Sequence, residues 1–259
     1  MAKATKAAGA IVPAKQAAAL TEYDPDELAK YAKDMIGNDQ SSVLRVSIRG
    51  GKLKVGDTEM KDNRMSVVIL DAAYENAYYG GAYDPDHIAP PKCYALGRDW
   101  NSLRPAETAD EPQHDDCAGC KWNAFGSADK GKGKACKNQR RLAVISADGL
   151  STQTALVAPV ATFKLPPTST KNFKSYGEAV WNLFKRPLFG VVTEVVVEKD
   201  KTDTYAVVKF DTGDPVDPAL FAALKQRRDM LGDALLAPYQ KKVEAKKALP
   251  PGKKQRSKF

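Results

Sequence analysis

The chain has 259 residues, 43% hydrophobic and 28% charged, with a formal net charge of +8. That suits one elaborated domain or two small ones with a substantial core, and the positive charge favours a polyanion partner: DNA, RNA or an anionic membrane surface. No apolar run approaches the roughly 20 residues of a membrane helix, and the N-terminus carries no continuous apolar stretch of a secretory signal.

Residues 1 to about 22 are rich in alanine and lysine, with no acid before Glu22, and read as a flexible basic arm. Asp24 caps a short predicted helix with Pro25 at its first position, running through Leu28, Tyr31 and Met35 to a stop at Gly37. Strand signals follow. Val43, Leu44, Val46 and Ile48 end at Gly50-Gly51, and Leu53 and Val55 end at Gly56-Asp57. Residues 66–74 read as a buried strand centred on Val67, Val68, Ile69 and Leu70.

Residues from about 84 to 138 are rich in Pro, Gly, Asp, Lys and Cys and poor in β-branched residues. Such a segment builds no apolar core and needs a staple, so it reads as an insertion between strands. Strand character restarts at Arg141 to Ile145, and a second strand-like run covers 154–163. Thr168-Ser169-Thr170 caps a helix that puts Phe173, Tyr176, Val180 and Phe184 on one face, closed by Pro187. Val191, Thr193, Val195 and Val197 alternate with Glu194 and Glu198, and a turn at 199–203 leads to Tyr205, Val207 and Lys209 as a hairpin. Residues 213–247 form a C-terminal helical segment opened by Pro215-Val216-Asp217-Pro218, with Gly232 as an interruption, and 248–259 form a basic disordered tail. Short strands, few helices and a long insertion predict a mainly β fold over 23–212, with α+β elaborations. An OB-fold-like small barrel with an inserted zinc-binding loop subdomain is the expected form, and the pattern alone also allows another small barrel or an α+β sandwich.

All four cysteines lie in or beside that insertion: Cys93, Cys117, Cys120 and Cys136. The C-A-G-C pair lets two thiolates meet one ion, and the two outlying cysteines complete a tetrahedral Zn2+ site. A reducing cytosol, the expected compartment, favours metal binding over disulfides. His87 and His114 stand as alternatives to Cys93. Four thiolates leave no open coordination position, and His87 lacks the following acid of a deaminase motif, so the metal reads as structural. The acids Glu107, Asp110, Glu111, Asp115 and Asp116 read as a solvated loop facing lysines, with a magnesium nuclease as the rival.

Single-stranded nucleic acid is held by cations on its phosphates and aromatic rings under its bases. Lys130, Lys132, Lys134, Lys137, Arg140 and Arg141 form a run with no acid inside it, and Gly131 and Gly133 let the backbone approach a phosphate. Trp122 and Phe125 precede that run; Tyr78, Tyr79 and Tyr83 surround Gly80-Gly81. These are the candidate binding residues.

The segment C-A-G-C-K-W-N-A-F-G-S-A-D-K-G-K-G-K-A-C-K-N-Q-R-R-L-A-V-I resembles the cysteine-rich core of tailed-bacteriophage single-stranded DNA-binding proteins. The stretch F-K-L-P-P-T-S-T-K-N-F-K-S-Y and the later T-E-V-V-V are similar to the same group, over roughly residues 40–212. The resemblance implies an OB-fold with a zinc subdomain, the four cysteines as ligands, and the run at 130–141 as groove residues. It also implies a non-enzymatic role coating single strands in phage DNA replication, recombination and repair. The place is the host cytoplasm, beside partners such as a polymerase or helicase. One departure stands out: residues 252–259 are basic, where such proteins commonly carry an acidic tail. Rival readings are a zinc-stapled nuclease or primase-like enzyme, a zinc-ribbon duplex-DNA-binding regulator, and an assembly protein.

Overall fold

The computed structural model describes residues 44–81, 89–129, 131–199, 202 and 205–239. The expected N-terminal arm and first helix, the basic tail, and Tyr83, His87 and Lys130 lie outside them.

The architecture is mainly β. Strands β1 (Arg45–Arg49), β2 (Lys52–Val55) and β3 (Thr58–Glu59) form a short meander. Gly50 and Gly51, at φ 59° and 75°, make the β1–β2 turn, where a side chain at either position would be strained. Strand β4 (Arg64–Tyr78) spans 15 residues, longer than the 66–74 predicted. After it come β5 (Cys93–Gly97), β6 (Lys137–Ser146), β7 (Ala161–Leu165), β8 (Val191–Lys199) and β9 (Ala206–Pro215). They join one sheet in the order β3-β2-β1-β7-β6-β4-β8-β9, with β5 added beside β4.

Strand β4 organises that sheet. One edge pairs with β6; the other pairs with β8 at residues 64–67 and with β5 at 74–78. A register shift between Ile69 and Asp71 marks a bulge. Such an extra residue bends the strand and exchanges its faces, so odd positions face inward before it and even positions after. The sheet curls into a half-barrel, and residues from far apart in the strand order, Leu53 of β2 and Phe210 of β9, share one apolar cluster.

Helix α1 (Thr152–Val157), helix α2 (Thr170–Phe184) and helix α3 (Pro218–Leu231) complete the fold. Phe173, Tyr176 and Val180 of α2 are buried as the periodicity predicts, in the cluster inside the curl. Each such side chain contributes about 1.5–3 kcal/mol by leaving water. Helices α1 and α3 cover the other face with a second cluster around Val68, Leu70, Ile145 and Leu224. Asp217 caps α3 by accepting from the Ala219 and Leu220 N–H groups, and the helix stops at Gly232 with φ 49°.

Two expectations need correction. The strand expected over 154–163 is a helix followed by β7, because Ser151 and Thr154 exchange side-chain-to-backbone hydrogen bonds as a capping box. Local capping outweighs the β-branched content of T-Q-T-A-L-V. The segment expected to be loop from 84 to 138 contains β5, paired with the far end of β4. No helix among the described residues is long and apolar enough to cross a membrane.

Candidate nucleic-acid interface

The far ends of β4, β5 and β6 present two different faces. Pairing sets Tyr74 opposite Arg140 and Asn76 opposite Asn138 on one face; Ala73 opposite Arg141 and Glu75 opposite Gln139 share the other. Cys93 and Ala95 of β5 fall beside Tyr78 and Asn76 on the first face. The loop from 98 to 136 folds over that face, where Leu103 and Cys117 pack on Ala95, Tyr74 and Trp100. Residues 234–239 cover the second.

On the first face the four cysteines line a single cavity, together with Asn76 and His114. Backbone bonds place the loop positions: Cys117 N–H donates to Leu103 O at 3.0 Å, and Cys136 N–H to Trp122 O at 2.9 Å. All four are free thiols. Burial pushes the Cys93 and Cys117 thiols up. It pushes Cys136 up to about 12, reinforced by its three sulfur neighbours and opposed by Lys134. Among the described residues, no three His, Cys, Asp or Glu side chains are placed so as to hold a metal ion. The sulfurs are thus gathered round one cavity without being drawn into a ligand cluster. The donor set still fits a soft divalent cation: four sulfurs, a buried wall, and the Nδ2 of Asn76, which makes no hydrogen bond of normal geometry and acts on the Cys117 thiol. The ligands would be Cys93, Cys117, Cys120 and Cys136, with His114 beside them.

Rings and cations interleave along the rim of the same loop. Arg140 stacks its guanidinium 3.1 Å from the Tyr74 ring centroid, and Tyr74 lies 5.8 Å from Trp100. Lys134 Nζ sits between two rings, 5.8 Å from Trp100 and 4.9 Å from Phe125. Its donation to Asn123 Oδ1 at 3.2 Å fixes that position. Phe125 is 83% exposed, far too open for a core residue. Trp122 is different: it stacks on Tyr78 at 5.0 Å and donates to Gln113 Oε1, so this pair partly serves as the loop's own packing. Lys121 lies 4.9 Å from the Trp122 ring. Lys132 and Lys137 are exposed, and Gly131 turns the chain beside them at φ 78°.

Arg141 and Tyr79 depart from the expected group. Arg141 is buried on the second face, where its Nε donates to the fully buried Glu75 and its Nη1 to the carbonyls of Leu235 and Ala237. Burial opposes its charge, yet Glu75 more than compensates and raises its pKa. The ring its guanidinium meets is Tyr239, at 4.9 Å. Tyr79, also beyond the first face, stands beside Tyr239 and stays 43% exposed, apart from the rings of the rim. Tyr239 itself donates to Glu75, accepts from Lys164 at 2.5 Å and packs edge-on against Tyr94.

Trp100, Tyr74 and Lys121 were not singled out by sequence reasoning. The signal for Trp100 was a tryptophan in an otherwise polar loop, D-W-N-S, where an aromatic ring has little apolar cover of its own. Of the predicted acids, Glu111 pairs with Lys92 at 3.0 Å and Asp116 accepts from Gly119 N–H. No protein-family model, no curated protein and no solved structure matches the chain.

Proposed function

We propose that this protein is a non-enzymatic, sequence-tolerant single-stranded DNA-binding protein, and that the rim formed by Arg140, Tyr74, Trp100, Lys134 and Phe125 is its binding surface. The observation that carries the reading is the interleaving itself: two cations held among three rings on one face, with Lys132 and Lys137 exposed nearby. Cations neutralise phosphates and rings stack bases, and neither interaction reads base identity. Arg140 and Lys134 are held against rings that a base would share, so binding needs little rearrangement of either.

In this reading the curled sheet is an OB-fold-like barrel, and the loop over its first face is a zinc-binding subdomain. Zinc, when bound, supplies a rigid four-way cross-link that a loop poor in apolar residues lacks. Cys93 would anchor it to β5 and Cys136 to the start of β6, the strand that also carries Arg140. Asn123 donates to Cys117 O at 2.6 Å and accepts from Lys134, which links the cysteine loop to the binding rim. The net charge of +8 supports a polyanion partner. The cellular role follows the same reading: protection of single strands in phage replication, recombination and repair, in the host cytoplasm, beside replication proteins such as a polymerase or helicase. Titration of labelled single- and double-stranded oligonucleotides tests it, with magnesium-dependent breakdown of the strand as the result that would favour an enzyme.

A further inference from the structure

Asn76 is 1% exposed, and its Nδ2 makes no hydrogen bond of normal geometry; the one group it acts on is the Cys117 thiol, a weak acceptor. An amide N–H2 buried without a good acceptor is costly, so its environment calls for an explanation. The orientation of this amide is set by a chain of three asparagines. Asn123 Nδ2 donates to Cys117 O at 2.6 Å, so Asn123 Oδ1 faces the other way and accepts from Lys134 and from Asn138 Nδ2 at 2.9 Å. The same Asn138 Nδ2 donates to Asn76 Oδ1 at 2.8 Å. A flip of Asn76 would set two N–H2 groups against each other. Its Nδ2 is therefore held on the cavity side, facing Cys117, with both residues lining the cavity of the four cysteines.

A neutral thiol is a poor acceptor, whereas a metal-bound thiolate is a strong one for a charge-assisted N–H···S bond. We propose that Asn76 is a positioning residue of the cysteine centre, donating its Nδ2–H to the Cys117 thiolate and fixing that sulfur for a thiolate-bound divalent cation. Asn138 and Asn123 hold the amide in register. The inference rests on the metal reading above.

The test uses the full chain with Asn76→Asp, which keeps the acceptor for Asn138 and removes the donor, and Asn76→Leu, which keeps the volume and lets Asn138 retain Asn123. Zn2+ affinity is read by competition with a chromogenic chelator. The thiolate-to-metal charge-transfer band is read on the Co2+-loaded protein. Both variants are expected to bind Zn2+ roughly 10–100-fold more weakly and to shift the Co2+ band, while metal-free Asn76→Leu, which buries no new charge, unfolds close to the wild-type urea midpoint. Wild-type affinity and band in both variants would overturn the inference and leave Asn76 a buried amide satisfied by water. A shifted unfolding midpoint with an unchanged band would overturn it in favour of a structural role. Wild-type protein without any thiolate band would overturn the metal reading itself, and this inference with it.

Discussion

Arg140 and Arg141 are neighbours in sequence and lie on opposite faces of β6: one stacks on Tyr74, the other is buried against Glu75. The basic run is therefore two groups with different work. Arg141, Glu75 and Tyr239 fasten the C-terminal segment to the sheet. Arg140 stays with the rings.

Arg141→Ala takes one partner from the fully buried Glu75 carboxylate and leaves it Lys164 at 3.2 Å and the Tyr239 hydroxyl, so the loss should fall below the ~3–5 kcal/mol of a buried charge left with no partner. Urea unfolding should show that loss, while protein that remains folded keeps its single-strand affinity. Lost affinity at unchanged stability would put Arg141 in the groove instead.

Phe125→Ala and Trp100→Ala should each weaken single-strand binding by about 1–3 kcal/mol. Phe125, at 83% exposure, should do so with no change in thermal midpoint, whereas Trp100 packs on Leu103 and should also lower it slightly. Anisotropy titration together with a melting curve separates the two effects.

On the proposed function, Arg140→Ala and Lys134→Ala each remove one charge that would meet a phosphate. Each should reduce the slope of log affinity against log salt by about 0.7 for a single strand. An unchanged slope would mean that the charge does not meet a phosphate.

The Tyr239 phenol is held well above its ordinary value of 10.0, by burial first and then by the Glu75 charge. The unfolded chain loses that proton near pH 10 while the folded chain keeps it. The folded state then binds more protons, so stability is full below about pH 10 and falls as pH rises further. Urea midpoints from pH 8 to 11 should show this decline, with a shallower one in Tyr239→Phe; Tyr79, also raised by burial, accounts for a remainder. Equal declines in both proteins would remove Tyr239 from the account.

Much of the framework was legible. The β8–β9 hairpin, α2 and the start of α3 follow from alternation, helical spacing and the Asp217-Pro218 cap, all local signals. Strand β5 was hidden because C-Y-A-L-G lacks β-branched residues and owes its strand to the far end of β4, a non-local partner. The cysteines and Phe125 were visible from spacing and composition. Trp100 and Tyr74 join the rim only through β4–β6 pairing and loop folding. The division of Arg140 from Arg141 needed the knowledge that β6 begins at Lys137, since strand alternation sends neighbours to opposite faces.

The central claim is tested most directly by fluorescence anisotropy of a labelled mixed-sequence oligonucleotide, as single strand and as duplex, titrated with protein across a salt series. The account predicts tight, sequence-tolerant binding to the single strand, falling steeply with salt and much weaker on the duplex. Equal or stronger binding to the duplex, or none to either, would contradict it.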